Sequence, residues 1–227
     1  MVTETKLQGL TRDLIALRAS REIKEGNYVN LGIGIPTLVS NWTEGRDVVL
    51  HSEIGLLDTG PLAEGDKIDQ DCINASCQPV QVRPTSCCFD IAESFAMMRG
   101  GHMDVVIIGA LQVSEKGDLA GWFNPSRGLN RVGNIGGSMD LCAGSKKLIA
   151  TMEHTTKNGE PKIVRELTYP ATARGVVNLI VTDLAVIEVT ADGLVLKEVC
   201  PGITPEEVQS VTEPKLIIAP DLKEIEL

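Results

Sequence analysis

In the run MDVVIIG, which begins at Met103, four consecutive β-branched residues leave no polar face. A strand of that kind has to be covered on both sides, the condition met by a parallel sheet packed between helices. Leu148 to Met152, Val176 to Thr182, Ala185 to Val189 and Leu194 to Val199 read as further strands, with a hairpin turn at Ala191, Asp192 and Gly193 between the last two. Hydrophobic residues make up 43% of the chain and aromatic ones only 3%, so Ile, Val, Leu and Ala must fill the interior. At 227 residues the chain is long enough for one large core. We therefore expect one open α/β domain spanning 1–227.

Helical spacing runs through Leu10, Leu14, Ile15, Leu17 and Arg18, closed by Gly26, and Tyr28 to Leu31 then reads as a strand. GIGIP follows, with Pro36 suited to a helical first turn. Gly32 and Gly34 resemble part of a dinucleotide fingerprint but lack its third glycine, a weak nucleotide signal. Residues 56 to 71 are rich in turn formers and acids and read as a long surface loop. Ser86 to Arg99 reads as a helix stopped by Gly100 and Gly101. Thr204, Pro205, Glu206 and Glu207 mark another helix start, and Ile217 and Ile218 a short final strand.

A formal net charge of -10 argues against a nucleic-acid partner, while an anionic small molecule stays possible. The opening MVTETKLQGL does not resemble a signal peptide, and no apolar run approaches a bilayer span, so we expect a cytoplasmic chain with no membrane partner. The six cysteines form no C-x-x-C pair, and none of the three histidines lies near Cys72 to Cys88. We expect free thiols and no metal.

Two segments are candidates for chemistry. In VVLHSEIGLLDTGP, Val48 to Leu50 reads as a buried strand, which puts Glu53 at or just past its end. Ligands gather at that end of an open α/β sheet, although most strand-end acids simply face water. In GWFNPSRGLNRVGNIGGS, residues 121–138, aromatic and cationic side chains share a loop with Gly136 and Gly137. Those glycines either just turn the chain or let amide N–H groups approach a ligand. Arg127 and Arg131 are candidates for a carboxylate or phosphate of an anionic ligand, in a setting where exposed loop arginines are common.

The segments NLGIGIPTLVSNW, HSEIG, GPLAEGDKIDQDCINA, ESFAMMRGGHMDVVIIGALQVSEKGDLAGW, GGSMDL, TMEH and NLIVTDLAVIEV resemble, in order and spacing, the β subunit of the 3-oxoacid CoA-transferases. The resemblance runs from about Leu14 to about Ile218. It implies an open Rossmann-like α/β sheet of the CoA-transferase type and a ping-pong transfer of CoA between an acyl-CoA and a 3-oxoacid such as acetoacetate. The family's nucleophilic glutamate maps onto Glu53, and a backbone oxyanion donor onto Gly137. Ser52, Ile54, Gly55 and Gly136 fall at the substrate.

The resemblance implies no tightly bound cofactor, with coenzyme A as substrate and covalent intermediate. It also implies an α-subunit partner in a heterodimer or heterotetramer, since the family's glycine-rich CoA motif is not found here. Two departures concern the site. Ser52-Glu53-Ile54-Gly55 stands where the family has Ser-Glu-Asn-Gly, and the loop around Arg127 to Asn134 is longer. A thioester hydrolase and a non-catalytic partner subunit are the rival readings. His51, His102 and His154 are expected to be structural more than basic, since this chemistry needs no general base.

Overall fold

The computed structural model describes residues 7–125, 128 and 133–226. Its core is a parallel run of five strands: β1 (Asn27–Leu31), β2 (Val48–Ser52), β5 (Met103–Gly109), β8 (Ser145–Met152) and β10 (Leu179–Thr182). They lie in the order β10-β8-β5-β1-β2 within a ten-stranded sheet. Beyond β2 the antiparallel strands β3 (Leu56–Leu62) and β4 (Val80–Cys88) extend one edge. Beyond β10, β11 (Ala185–Thr190), β12 (Gly193–Val199) and β13 (Leu216–Glu224) extend the other. A small second sheet joins β6 (Gln112–Ser114), β7 (Leu119–Ala120) and β9 (Ile163–Val164).

The apolar run after Met103 is covered twice, as its composition requires. Val105 and Ile107 of β5 pack into one apolar cluster with Ile15, Ala16 and Ala19 of α1 (Arg12–Ser20). Val106 and Ile108 face the opposite cluster, with Met98 of α3 (Ile91–Arg99) and Leu141 and Cys142 of α4 (Ser138–Gly144). The same alternation carries Ile149 to the α1 side and Leu148 and Ala150 to the α4 side. α2 (Ile35–Leu38) begins with Pro36 in its first turn, and α5 (Pro205–Ser210) has the capping box expected from Thr204 and Glu207. No helix among the described residues is long and apolar enough to cross a membrane.

Several boundaries differ from the sequence-based expectation. Leu56–Leu62 is strand and not loop, because it zips against β2 through His51 and Leu57 and against β4 through Leu56 and Cys88. Its Gly60 and Pro61 are absorbed by register shifts between Leu57 and Leu62. Ser86 to Cys88 ends β4, and the helix waits for Asp90, whose carboxylate accepts the Glu93 N–H at 3.0 Å. Pro84 is tolerated because β4 is an edge strand. The final strand is longer than Ile217 and Ile218 and runs parallel to β12.

Under the sheet, α1 is pinned by charge. Arg18 reaches Glu198 of β12 through Nε at 2.7 Å and Nη2 at 3.0 Å, and Glu22 through Nη1 at 2.7 Å. Lys147 of β8 completes the chain to Glu22 at 2.6 Å. Burial works against the charged form of Arg18, but its hydrogen bonds to Glu198 and Glu22 outweigh that and raise its pKa. Burial likewise opposes ionisation of Glu22, and the bonds from Lys147 and Arg18 bring its pKa below the usual value.

Removing one member of such a buried pair strands the other. Arg18→Met should therefore lower unfolding free energy by about 3–5 kcal/mol in urea titrations, and adding Glu198→Leu should recover most of it. Equal, additive losses in both single variants and the double would contradict this.

Candidate active site

The chain leaves β1 toward β2 on one side, while β5 lies on its other side, so the loops after β1 and β5 diverge at a switch point. A cleft of about 710 Å³ opens at these strand ends. Its walls take Gly32 and Ile33 after β1, Glu53 after β2, Gly109 at the end of β5 and Met152 and Glu153 at the end of β8. Gly136, Gly137 and Trp122 line it from the loop that precedes α4. Thus Glu53, Ile54, Gly136 and Gly137, far apart in the sequence, lie around one cavity.

Glu53 sits on the tip of the β2–β3 hairpin, where the Gly55 N–H donates to Ser52 O at 3.0 Å. Gly55 is indispensable to this turn on two counts. Its φ is +112°, and a Cβ there would stand 2.2 Å from the carbonyl oxygen of Phe89. Phe89 in turn donates its N–H to Gly55 O at 3.1 Å, fastening the tip to the segment that leads into α3. The positive φ falls on Gly55 and not on residue 54, so the turn makes no conformational demand for asparagine there. Ile54 is half exposed, and with Ile33 and Ile91 it makes the cleft mouth apolar.

Beneath the tip lies a buried polar chain. Asn30 of β1 is fully buried, and its Nδ2 stands 3.1 Å from His51 O, 3.0 Å from His51 Nδ1 and 3.4 Å from Glu53 Oε2. His51 Nε2 meets Ser94 Oγ of α3 at 3.1 Å. Burial pushes the His51 pKa down to about 4, so the ring is neutral at physiological pH. Ser52 is buried, and its hydroxyl has no hydrogen-bond partner among the described residues. His154 is structural, as expected: its ring lies between Thr182 Oγ1 at 2.9 Å and Thr212 Oγ1 at 2.8 Å, and burial, with Lys162 nearby, lowers its pKa to about 3.

On the facing wall the Gly136 N–H donates to Asn134 Oδ1 at 2.9 Å, with φ at +49°. Gly137 is the N-cap of α4, and its N–H has no acceptor among the described residues. A side chain at 137 would press on the Phe95 ring at 3.1 Å. Arg127 and Arg131 lie outside the described residues. Sequence reasoning missed Lys162, which lines the same cleft; burial lowers its pKa to about 8 against the pull of Glu153 and Asp183. It also missed Asn30, whose signal was available as the one amide inside the strand-like YVNL. Cys142 is buried, with its thiol pKa pushed up to about 12.

Gly55→Ala should leave the circular dichroism spectrum of the chain intact while displacing the tip. A displacement of about 1 Å at reacting atoms costs about 10²-fold in rate, and that is the loss expected in any activity carried by Glu53. Undiminished activity would show that the tip's position is unimportant.

Comparison with known proteins places the chain. Residues 12–210 match the family model described as coenzyme A transferase. A 3-oxoadipate CoA-transferase subunit of Acinetobacter baylyi is 46% identical over 211 residues, covering 92% of this chain and 96% of that protein. A succinyl-CoA:3-ketoacid coenzyme A transferase subunit of Helicobacter pylori is 45% identical over 202 residues, covering 89% and 96% respectively. The fold matches that of an acyl-CoA transferase of E. coli O157:H7 solved as a thioester complex with CoA, at a TM-score of 0.76 and 24% identity. There the alignment covers 98% of this chain, which spans only 44% of the longer E. coli chain. The chain belongs to the coenzyme A transferase family.

Proposed function

We propose that this chain is the β-subunit domain of a 3-oxoacid-type CoA-transferase that works by ping-pong chemistry through a glutamyl-CoA thioester on Glu53. The observation that carries the reading is the placement of Glu53 on a hairpin tip, lining the switch-point cleft that Gly137, whose N–H has no acceptor among the described residues, also lines. The named relatives act on succinyl-CoA with a 3-ketoacid or on 3-oxoadipate, and the proposed substrates are a short acyl-CoA and a 3-oxoacid of that class.

The chemistry is demanding, because a carboxylate is a poor nucleophile toward a thioester. Glu53 attacks the acyl carbonyl, and the Gly137 N–H receives the oxyanion, a contribution of about 3 kcal/mol for a preorganised donor. Collapse expels CoA thiolate and leaves an acyl-glutamyl anhydride. The thiolate returns to the glutamyl carbonyl, forming the enzyme thioester and releasing the first acid. An acceptor carboxylate reverses these steps. Binding of the distant parts of CoA holds the reacting groups together. We assign that binding, and a second oxyanion donor, to an α-subunit partner, in the cytoplasm, where the free thiols found here would stay reduced.

Both intermediates are destroyed by water, which suits the apolar mouth formed by Ile33, Ile54 and Ile91. Ser52, Gly55 and Gly136 shape the surroundings of the tip and the facing wall, and Arg127 and Arg131 are proposed for anionic parts of the substrates.

The test is peptide mass spectrometry of the chain coexpressed with its partner, after incubation with acetoacetyl-CoA and no acceptor acid. A CoA mass on the Glu53 peptide, absent in Glu53→Gln, is expected. No adduct despite binding of the ester would support a non-catalytic subunit, and steady thioester loss without an acceptor would support a hydrolase.

A further inference from the structure

Three polar side chains at the β8 end of the cleft, Thr151, Glu153 and Lys162, have no part in the chemistry at Glu53. Thr151 shares the parity of Ile149 along β8 and so faces the α1 side of the sheet. Arg12, the first residue of α1, lines the same cleft. Lys162, just before β9, feels the charges of Arg12, Glu153 and Asp183, which places its ammonium in that corner too.

Two of these groups lack a protein partner. Thr151 is 1% exposed, and its hydroxyl makes no hydrogen bond among the described residues. Leaving it so costs about 1–3 kcal/mol, a penalty that valine, with the same shape, would avoid. The Lys162 ammonium makes no hydrogen bond or ion pair among the described residues and meets its neighbours only through space. The nearby acids are engaged otherwise: Glu153 accepts from Arg12 at 2.9 and 3.2 Å, and Asp183 accepts the His154 N–H at 2.6 Å. Burial lowers the Lys162 pKa to about 8, so the ammonium is charged at neutral pH but partly stripped of water. A desolvated cation and an orphaned hydroxyl together complement a carboxylate, which accepts a charge-assisted bond from one and a neutral bond from the other.

The sheet sets the distance from this corner to the nucleophile. Glu53 Oε2 lies 3.4 Å from the Asn30 amide of β1, and β8 stands two strands from β1 with β5 between. Neighbouring strands are about 4.8 Å apart, so the two ends of the cleft are separated by about 10 Å. That is the span of a short diacid with its acyl carbon at Glu53 and a hydrogen bond at its far carboxylate. Gly32, Ile33, Gly109 and Ala110 line the cleft between, small or apolar as a methylene chain requires. We infer that Lys162 and Thr151 form a subsite for the distal carboxylate of a dicarboxylic acyl group, and that this pair sets a preference for such groups over monocarboxylic ones. The inference rests on Glu53 being the nucleophile, which fixes the other end of the acyl chain. Neither residue serves the reacting carbonyl, so the pair governs which ester is held and not the bond-making steps.

The experiment compares succinyl-CoA with butyryl-CoA as donor to acetoacetate, in the complex with the α partner. The unaltered complex should favour succinyl-CoA in kcat/KM. Lys162→Met, which keeps the length and removes the charge, should lower kcat/KM for succinyl-CoA about 10²-fold, the loss of a hydrogen bond to a charged group. The loss should fall on KM with kcat nearly unchanged, and butyryl-CoA should change by less than about threefold. Thr151→Val should lose about 10-fold with succinyl-CoA and again spare butyryl-CoA.

Equal losses with both esters would make the pair structural and overturn the inference, as would an unaltered complex indifferent to the two esters. Turnover of butyryl-CoA reports that each variant is folded, and if Lys162→Met does not fold, Lys162→Gln carries the same comparison. Absence of any CoA adduct on Glu53 in the unaltered complex would instead overturn the nucleophile assignment, and with it this inference.

Discussion

Apolar side chains on both faces of β5 set the terms for everything else in this molecule. Val105 and Ile107 on one side and Val106 and Ile108 on the other oblige helices to cover the sheet twice. With both faces closed, the places left for a ligand are the strand ends. Among these, the divergence of the loops after β1 and β5 opens the space that the cleft occupies. Glu53 is therefore carried on a turn, where it meets the cleft, while the strands that hold the turn are locked in the core.

Rigidity at that turn comes from backbone and not from side-chain packing. Gly55 lets the hairpin tip approach Phe89 more closely than any other residue could, and a reciprocal backbone bond holds the two together. Below it, Asn30, His51 and Ser94 tie β1, β2 and α3 into one buried polar chain. Such a chain is costly to bury, and its value here is directional, since it ends at Glu53. The Arg18, Glu198, Glu22 and Lys147 network does comparable work far from the cleft, holding α1 to β8 and β12.

The strands legible in the sequence were those whose own composition sufficed: β1, β2, β5, β8, β11 and β12 were expected near their observed places because apolar residues run or alternate along each of them. β3 and β4 were not, since Gly60, Pro61 and Pro84 look like turn signals, and it is pairing with β2 that keeps them extended. The helix expected from Ser86 began later because Asp90, and no earlier residue, caps it. At the site, the loop glycines and the strand-end acid were visible individually. Their meeting around one cleft was not, because it depends on the order of strands in the sheet. The role proposed for Glu53 came from family resemblance, since an acid at a strand end is usually only solvated. Asn30 was hidden because one polar residue in a strand carries no local sign of what it faces.

The central claim is that the Glu53 carboxylate takes part covalently and exchanges an oxygen with the acid substrate. It is tested most directly by turning over the assembled complex with succinyl-CoA and acetoacetate labelled with ¹⁸O in its carboxylate, then weighing the Glu53 peptide. Passage through the anhydride leaves one labelled oxygen on Glu53 for each transfer to the acceptor, so the peptide should gain mass with turnover. An unlabelled Glu53 peptide after many turnovers would contradict the account.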